Sequence, residues 1–266
     1  MLSALALAYI RHSPIEIGKW RISRFLEPRL TDRLATVKTA DGFLMSLDTH
    51  DFIQRTIFLS GRWDEDIAGT IRARLKSESV FVDVGANVGY FSLLAASRCA
   101  RVISFEPNPI CVSTLKSNIE LNRFGNVDVR PVGLSDRRGT AVLHMSSDAN
   151  LGAGSLNDTA GAALPIVLET LDDQLHDTSP SLIKIDVEGA ELQVLRGATS
   201  ILHRDAPDVI CEVSEYSLHR LGASKDELFD FMADFGYRCE ILSPIRRSNA
   251  ATASIYFQYD VIFVTK

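Results

Sequence analysis

Seven short apolar runs, rich in Val, Ile and Phe, recur at residues 80–84, 102–105, 127–132, 182–186, 209–213, 237–242 and 260–264, with helical patterns between the earlier ones. Runs of this length bounded by turn residues read as strands, and strands alternating with helices pack as an α/β, doubly wound, mostly parallel sheet. Only the loop SPIRRSNAATAS separates the last two runs. Without a crossover helix those two strands have to pair antiparallel, as a hairpin. Two further β-like runs, at residues 141–145 and 165–168, flank the small-residue segment SSDANLGAGSLNDTAGAA. That segment reads either as a lid over a substrate or as a surface loop.

The first 50 residues follow a different pattern. Leu2, Leu5, Ala6, Tyr9 and Ile10 form an apolar stripe at helical spacing, Pro14 interrupts it, and a second helix is expected over residues 17–26. Residues 1–50 are therefore assigned to an N-terminal basic amphipathic extension and 51–266 to the main domain. The first 38 residues carry seven basic side chains against three acidic ones, on a chain whose formal charge is -6. A basic amphipathic segment suits peripheral contact with a membrane surface, and equally suits packing on its own domain or on the mate in a homo-oligomer. No positive charge precedes its apolar stretch and no clean A-x-A site follows, so a signal peptide fits poorly.

At 266 residues and 46% hydrophobic, the chain has material for one large domain with a full core and little for a second. Its Lys and Arg residues are scattered rather than gathered into a stripe, so nucleic acid is not expected as a partner. Cys99, Cys111, Cys211 and Cys239 lie far apart with no C-x-x-C pair, which reads as reduced thiols in a cytoplasmic protein. The six histidines show no metal-ligand spacing, and no metal site is expected. No apolar run approaches the roughly 20 residues needed to span a bilayer. G-x-S-x-G, P-loop and Cys-His arrangements are absent, leaving acyl and phosphoryl transfer without machinery.

The candidate chemistry begins at VFVDVGANVG, where an apolar strand breaks into a glycine turn, and continues at RVISFEP, where the next strand ends in Glu106. A strand, a glycine turn and a second strand capped by a carboxylate make up the nucleoside-cofactor cleft of an open α/β sheet. A dinucleotide site wants G-x-G-x-x-G against its pyrophosphate, yet Asn87 stands where the middle glycine would be. S-adenosylmethionine has no phosphate to cradle. It needs a close backbone approach to its methionine part and a carboxylate for its ribose hydroxyls, a task suited to Asp83, Gly85, Asn87, Gly89 and Glu106. A tight turn with nothing bound would use the same glycines. Asn108 before Pro109 fits a helix N-cap and also borders Glu106, while Ser135 and Asp136 follow the third strand, where this fold places base recognition.

The runs FVDVGANVGYFSLLAA, ISFEPNP, LKSNIELN, VRPVGLSD and LIKIDVEGAELQVLRGA, in this order and spacing, resemble FkbM-type methyltransferases. These are class I S-adenosylmethionine-dependent enzymes that mostly O-methylate sugars and natural products. The likeness covers about residues 51–208, is most specific at KIDVEGAE, and leaves the first 50 residues unexplained. It implies a seven-stranded Rossmann-like sheet and a small-molecule or glycan acceptor. Methyl transfer to a hydroxyl needs in-line positioning and removal of a proton. Asp186 ends the fourth strand at the sheet edge where ligands bind, so Asp186 and Glu188 are candidate bases, with Glu212 and Glu215 after the fifth strand as further ones. Glu191 either assists or caps its helix. A nucleotide-dependent oxidoreductase and a cofactor-binding module without turnover are the alternatives.

Overall fold

The computed structural model describes residues 33–144, 162–243, 246–248 and 256–265, together with Leu5, residues 8–11, Ile22, Leu26 and Leu30. A hairpin of β1 (Leu34–Lys38) and β2 (Leu44–Asp48) precedes helices α1 (Phe52–Ser60) and α2 (Glu65–Arg74). Then β3 (Val80–Val84), α3 (Tyr90–Ala96), β4 (Arg101–Phe105), α4 (Pro109–Asn122) and β5 (Val127–Arg130) alternate. A small insertion follows, made of β6 (Gly133–Leu134), β7 (Gly139–His144) and β8 (Ala163–Glu169), and leads to the short helix α5 (Leu171–Gln174). The chain returns through β9 (Leu182–Ile185), α6 (Glu191–Arg196), α7 (Thr199–Arg204), β10 (Asp208–Ser214), α8 (Glu215–Arg220) and α9 (Lys225–Asp234). It ends in β11 (Tyr237–Ile241), β12 (Arg246–Ser248) and β13 (Tyr256–Thr265).

The main sheet has the order β11-β13-β10-β9-β3-β4-β5, with β12 paired onto β13. Strands β5, β4, β3, β9 and β10 are parallel, whereas β13 runs antiparallel between β10 and β11. This is the expected doubly wound sheet with its terminal hairpin. The parallel strands are apolar almost without a break because both of their faces are covered. Phe81, Val102, Leu182 and Ile210 pack against α2, α3 and α4 on one face. Their strand neighbours Val82, Ile103, Ile183 and Val209 pack against α6, α7, α8 and α9 on the other. The chain winds outward from β3 to β5 and then restarts on the opposite side at β9. That reversal opens a crevice at the carboxyl ends of β3, β4 and β9, where such sheets hold ligands.

The β1–β2 pair has no counterpart among the sequence-predicted elements. Its residues alternate, with Val37, Met45 and Leu47 buried in the same core as the main sheet, and Asp41-Gly42 turns the chain with Gly42 at φ 95. Asp-Gly between alternating apolar residues is a hairpin signal that was available in the sequence. The outer edge of β2 is closed by side-chain amides rather than by another strand. Asn118 accepts from the Ser46 N–H at 2.8 Å, while Asn122 accepts from the Leu44 N–H and donates to the Leu44 carbonyl, each at 2.7 Å. Asn118 also donates to the Val88 carbonyl at 3.1 Å, tying the hairpin to the glycine turn.

The β-like runs expected on either side of the small-residue segment form β7 and β8, paired antiparallel with Thr140 opposite Val167. Except for its last two residues, Ala162 and Ala163, the segment read as lid or surface loop lies outside the described residues, as does most of the predicted N-terminal pair of helices. Where the N-terminal segment is described, Ile10 and Leu26 pack on Leu59 of α1. Arg11 donates to the carbonyls of Phe58 at 2.6 Å and Leu59 at 3.3 Å, satisfying the carboxyl end of α1. The four cysteines are free, and among the described residues no helix is long and apolar enough to cross a membrane.

Candidate active site

The crevice is an open cleft, and the empty space within and in front of it, part of it open solvent, is about 1110 Å³. Its floor is the turn after β3. Gly85 has φ 77, Asn87 φ 50 and Gly89 φ 95, a left-handed run that only glycine and asparagine adopt readily. The two glycines are also sterically required. A Cβ at Gly85 would strike the Asp186 carbonyl, and one at Gly89 would strike the Leu115 side chain. The turn is tied to β4, because the N–H groups of Gly85 and Ala86 donate to the Phe105 carbonyl at 3.0 and 3.1 Å.

Glu106, at the end of β4, is buried on the cleft wall. One carboxyl oxygen accepts from the Asn87 N–H at 2.8 Å and the other from the Asn108 N–H at 2.9 Å. Burial pushes its pKa up to about 7, against the opposing pull of those two amides and of Lys184. Asn108 caps α4 by accepting from the Ile110 N–H at 3.0 Å, with Pro109 in the first turn, and it also lines the cleft.

The opposite wall is the turn after β9. Asp186 lines the cleft with its side chain about one-third exposed, and Glu188, at φ 55, stands beside it. Glu188 is pushed up to about 7 by burial and by Asp186 and Glu191. The turn is shaped by Glu191, 1% exposed, which accepts from the Val187 N–H at 3.1 Å and the Gly189 N–H at 3.0 Å. Its own pKa is also raised to about 7, by burial first. Beneath both walls lies Lys184, 2% exposed in an otherwise apolar strand. Its ammonium is 3.3 Å from Asp186 Oδ2 and 3.5 Å from Asp83 Oδ1, and donates to the Gly85 carbonyl at 3.3 Å.

The cleft thus gathers Gly85, Asn87, Gly89, Glu106, Asn108, Asp186 and Glu188. Asp83 lies under the turn rather than on the wall, fully buried and accepting from Ser92 Oγ at 2.6 Å. Glu212 sits on β10, one position past the Cys211–Ile185 pair and so level with Asp186, and it is not part of the cleft lining. Gln258 donates to one of its oxygens, the other has no hydrogen-bond partner among the described residues, and burial with the neighbouring acids holds its pKa well above the usual range. Ser135 and Asp136 line an adjacent hollow that shares Leu168 and Ala190 with the cleft. The remaining cleft wall is apolar and was not anticipated. Ile53 and Ile57 come from α1, Trp63 from the turn after it, and Leu143 and Ile166 from the small sheet. Nothing in local spacing marks these residues, since they approach the sheet edge from distant parts of the chain. Among the described residues no cluster of His, Cys, Asp or Glu is arranged to hold a metal ion.

A sheet of this order, with a glycine turn and an acid-capped second strand at its switch point, defines the class I methyltransferase fold. The solved tRNA m1G37 methyltransferase of M. jannaschii shares that fold, with TM-score 0.53 and 13% identity over 96% of this chain and 68% of that one. Trm5b of Pyrococcus abyssi does too, with TM-score 0.51 and 16% identity over 88% of this chain and 57% of that one. Residues 83–239 match the family described as Methyltransferase FkbM domain, and the chain belongs to that family. Methyltransferase sdnD of Sordaria araneosa is 30% identical over 182 residues, covering 55% of this chain and 68% of its own. Hexuronic acid methyltransferase AglP of Haloferax volcanii is 28% identical over 142 residues, covering 53% of this chain and 59% of its own.

Proposed function

We propose that this chain is an S-adenosylmethionine-dependent O-methyltransferase acting on a hydroxyl of a sugar, glycan or natural product. The observation that carries the reading is the convergence of the bare Gly85 turn, the anchored Glu106 carboxyl and Asp186 on one cleft. The residues fit the cofactor. The missing side chains at Gly85 and Gly89 let the turn pack against Asp186 and Leu115 and so present its backbone to the cleft, and Glu106, already fixed by two amides, keeps further lone pairs for the ribose hydroxyls. Leu134 offers the adenine an apolar surface, with Asn108, Ser135 and Asp136 as candidate polar contacts at its edge.

Bound there, the cofactor supplies a methyl group on a sulfonium. Asp186 and Glu188, on the facing wall, orient the acceptor hydroxyl, and one of the two carboxylates takes up its proton as the carbon–oxygen bond forms. Glu212, level with Asp186 on the next strand and off the cleft lining, acts through its charge on that carboxylate rather than on the acceptor. An acceptor rich in hydroxyls suits a wall of carboxyls, and the hexuronic acid in the name of AglP supports a sugar. A nucleic acid would meet the rim acids on a chain of net charge -6. The four free thiols support a cytoplasmic setting.

Calorimetric titration with S-adenosylmethionine and with NAD tests the reading. Saturable binding of S-adenosylmethionine is expected, weakened about 30-fold or more in Glu106→Ala, the scale of losing charge-assisted hydrogen bonds. Uptake of labelled methyl by uronic-acid-containing or neutral glycans would then identify the acceptor. Binding of NAD alone, or of neither ligand, overturns the proposal.

A further inference from the structure

Lys184 is the exception in β9, where Leu182, Ile183 and Ile185 are apolar and buried. An ammonium in that position is costly unless it is paired and hydrogen-bonded. Among the described residues it has three oxygen neighbours, and each belongs to a different part of the site. The Gly85 carbonyl lies in the cofactor turn at 3.3 Å, Asp186 stands on the acceptor wall at 3.3 Å, and Asp83 is buried beneath at 3.5 Å. Asp83 Oδ1 has no hydrogen bond among the described residues, so the ammonium is its nearby counter-charge. The Phe91 ring covers another side of the ammonium at 5.2 Å. The arrangement therefore places a fixed positive charge, with Asp186, on the lining of the same cleft.

This charge matters because the proposed reaction changes the charge of what the cleft holds. Transfer breaks the bond from the sulfonium sulfur to the methyl carbon and forms one from the acceptor oxygen. The sulfur keeps the electron pair and becomes a neutral thioether, and the hydroxyl proton passes to a carboxylate. A cleft lined only by acids would prefer the sulfonium by a wide margin. Resting on the methyltransferase reading, we propose that Lys184 is a positioning residue that holds Asp186 against the Gly85 turn and so limits the preference of the cleft for the sulfonium cofactor over its thioether product.

The test is calorimetric binding of S-adenosylmethionine and S-adenosylhomocysteine to the full-length chain, which needs no acceptor. In Lys184→Met the ratio of the two dissociation constants is expected to move about tenfold toward S-adenosylmethionine, the scale of one uncompensated charge across a partly solvated site. In Lys184→Met/Asp186→Asn the ratio should return close to that of the natural protein. Should Lys184→Met fail to fold because Asp83 is left unpaired, Lys184→Met/Asp83→Asn removes that buried charge while leaving Asp186 without its partner. A smaller shift in the same direction is then expected in that variant, because the lost Asp83 charge offsets part of the lost ammonium while Asp186, which lines the cleft as Asp83 does not, stays uncompensated. Equal weakening of both ligands in the soluble variant would reduce Lys184 to a structural strut and overturn the proposal, as would an unchanged ratio. Failure of the natural protein to bind either ligand would instead remove the methyltransferase reading on which the proposal rests.

Discussion

Two glycines with similar backbone angles separate the cost of strain from the cost of collision. Gly85 and Gly222 have φ of 77 and 74. A Cβ at Gly222 would meet nothing within 4 Å, whereas one at Gly85 meets the backbone of Asp186. Gly222→Ala should therefore cost only the left-handed strain, about 1 kcal/mol. Gly85→Ala should cost about 3 kcal/mol or more, because a backbone carbonyl has to shift, and it should also weaken S-adenosylmethionine binding. Thermal melting of the two variants separates these effects, and equal drops would refute the collision. Part of the site was legible at this scale. The G-x-N-x-G turn and the acid ending β4 announced a nucleoside cleft because both lie within a few residues of a strand end. The lysine in LIKID is a charge inside an apolar run, and its pairing with a neighbouring acid, Asp186 two positions on, is legible from the strand period. Its other two oxygen partners, Asp83 of β3 and the Gly85 carbonyl of the turn, are about a hundred positions away and no local spacing reveals them.

Among the elements, α1 connects the N-terminal segment to the cleft. One side of it presents Ile53 and Ile57 to the cleft, while its last turn receives Ile10, Leu26 and the guanidinium of Arg11. Arg11→Ala removes two hydrogen bonds to carbonyls that have no partner within the helix, and should destabilise the protein by about 1–2 kcal/mol in denaturant unfolding. It should also weaken S-adenosylmethionine binding several-fold, since the end of α1 frays toward the cleft. Unchanged stability would mean that water replaces the guanidinium without loss. The parallel strands were legible as elements because burial on both faces makes them continuous apolar runs. The β1–β2 hairpin escaped because its Asp41-Gly42 turn falls in a segment otherwise read as a basic helical extension, and its edge is closed by Asn118 and Asn122, more than 70 positions away in the chain.

For the molecule as a whole, the acids collected at the sheet edge make stability depend on pH. Glu106, Glu188 and Glu191 are each held at about 7, against an ordinary value of 4.5. Because burial favours their neutral form, the stability they contribute is fully present below about pH 4.5 and is lost as the pH rises through 7. The free protein should therefore melt at a higher temperature at pH 6 than at pH 8, and Glu191→Gln should flatten that difference. A melting temperature that rises across the same window would contradict the burial of these carboxyls. The sequence by itself determined the order and type of the main strands, the terminal hairpin, the glycine turn and the acids at the strand ends. These depend on local periodicity and on residues adjacent to strand termini. Only the tertiary structure decided that Asp83 lies beneath the turn, that Lys184 joins the two walls, and that α1 and the small sheet complete the cleft. Those relations depend on which strands become neighbours, and that is settled when both faces of the sheet are buried together.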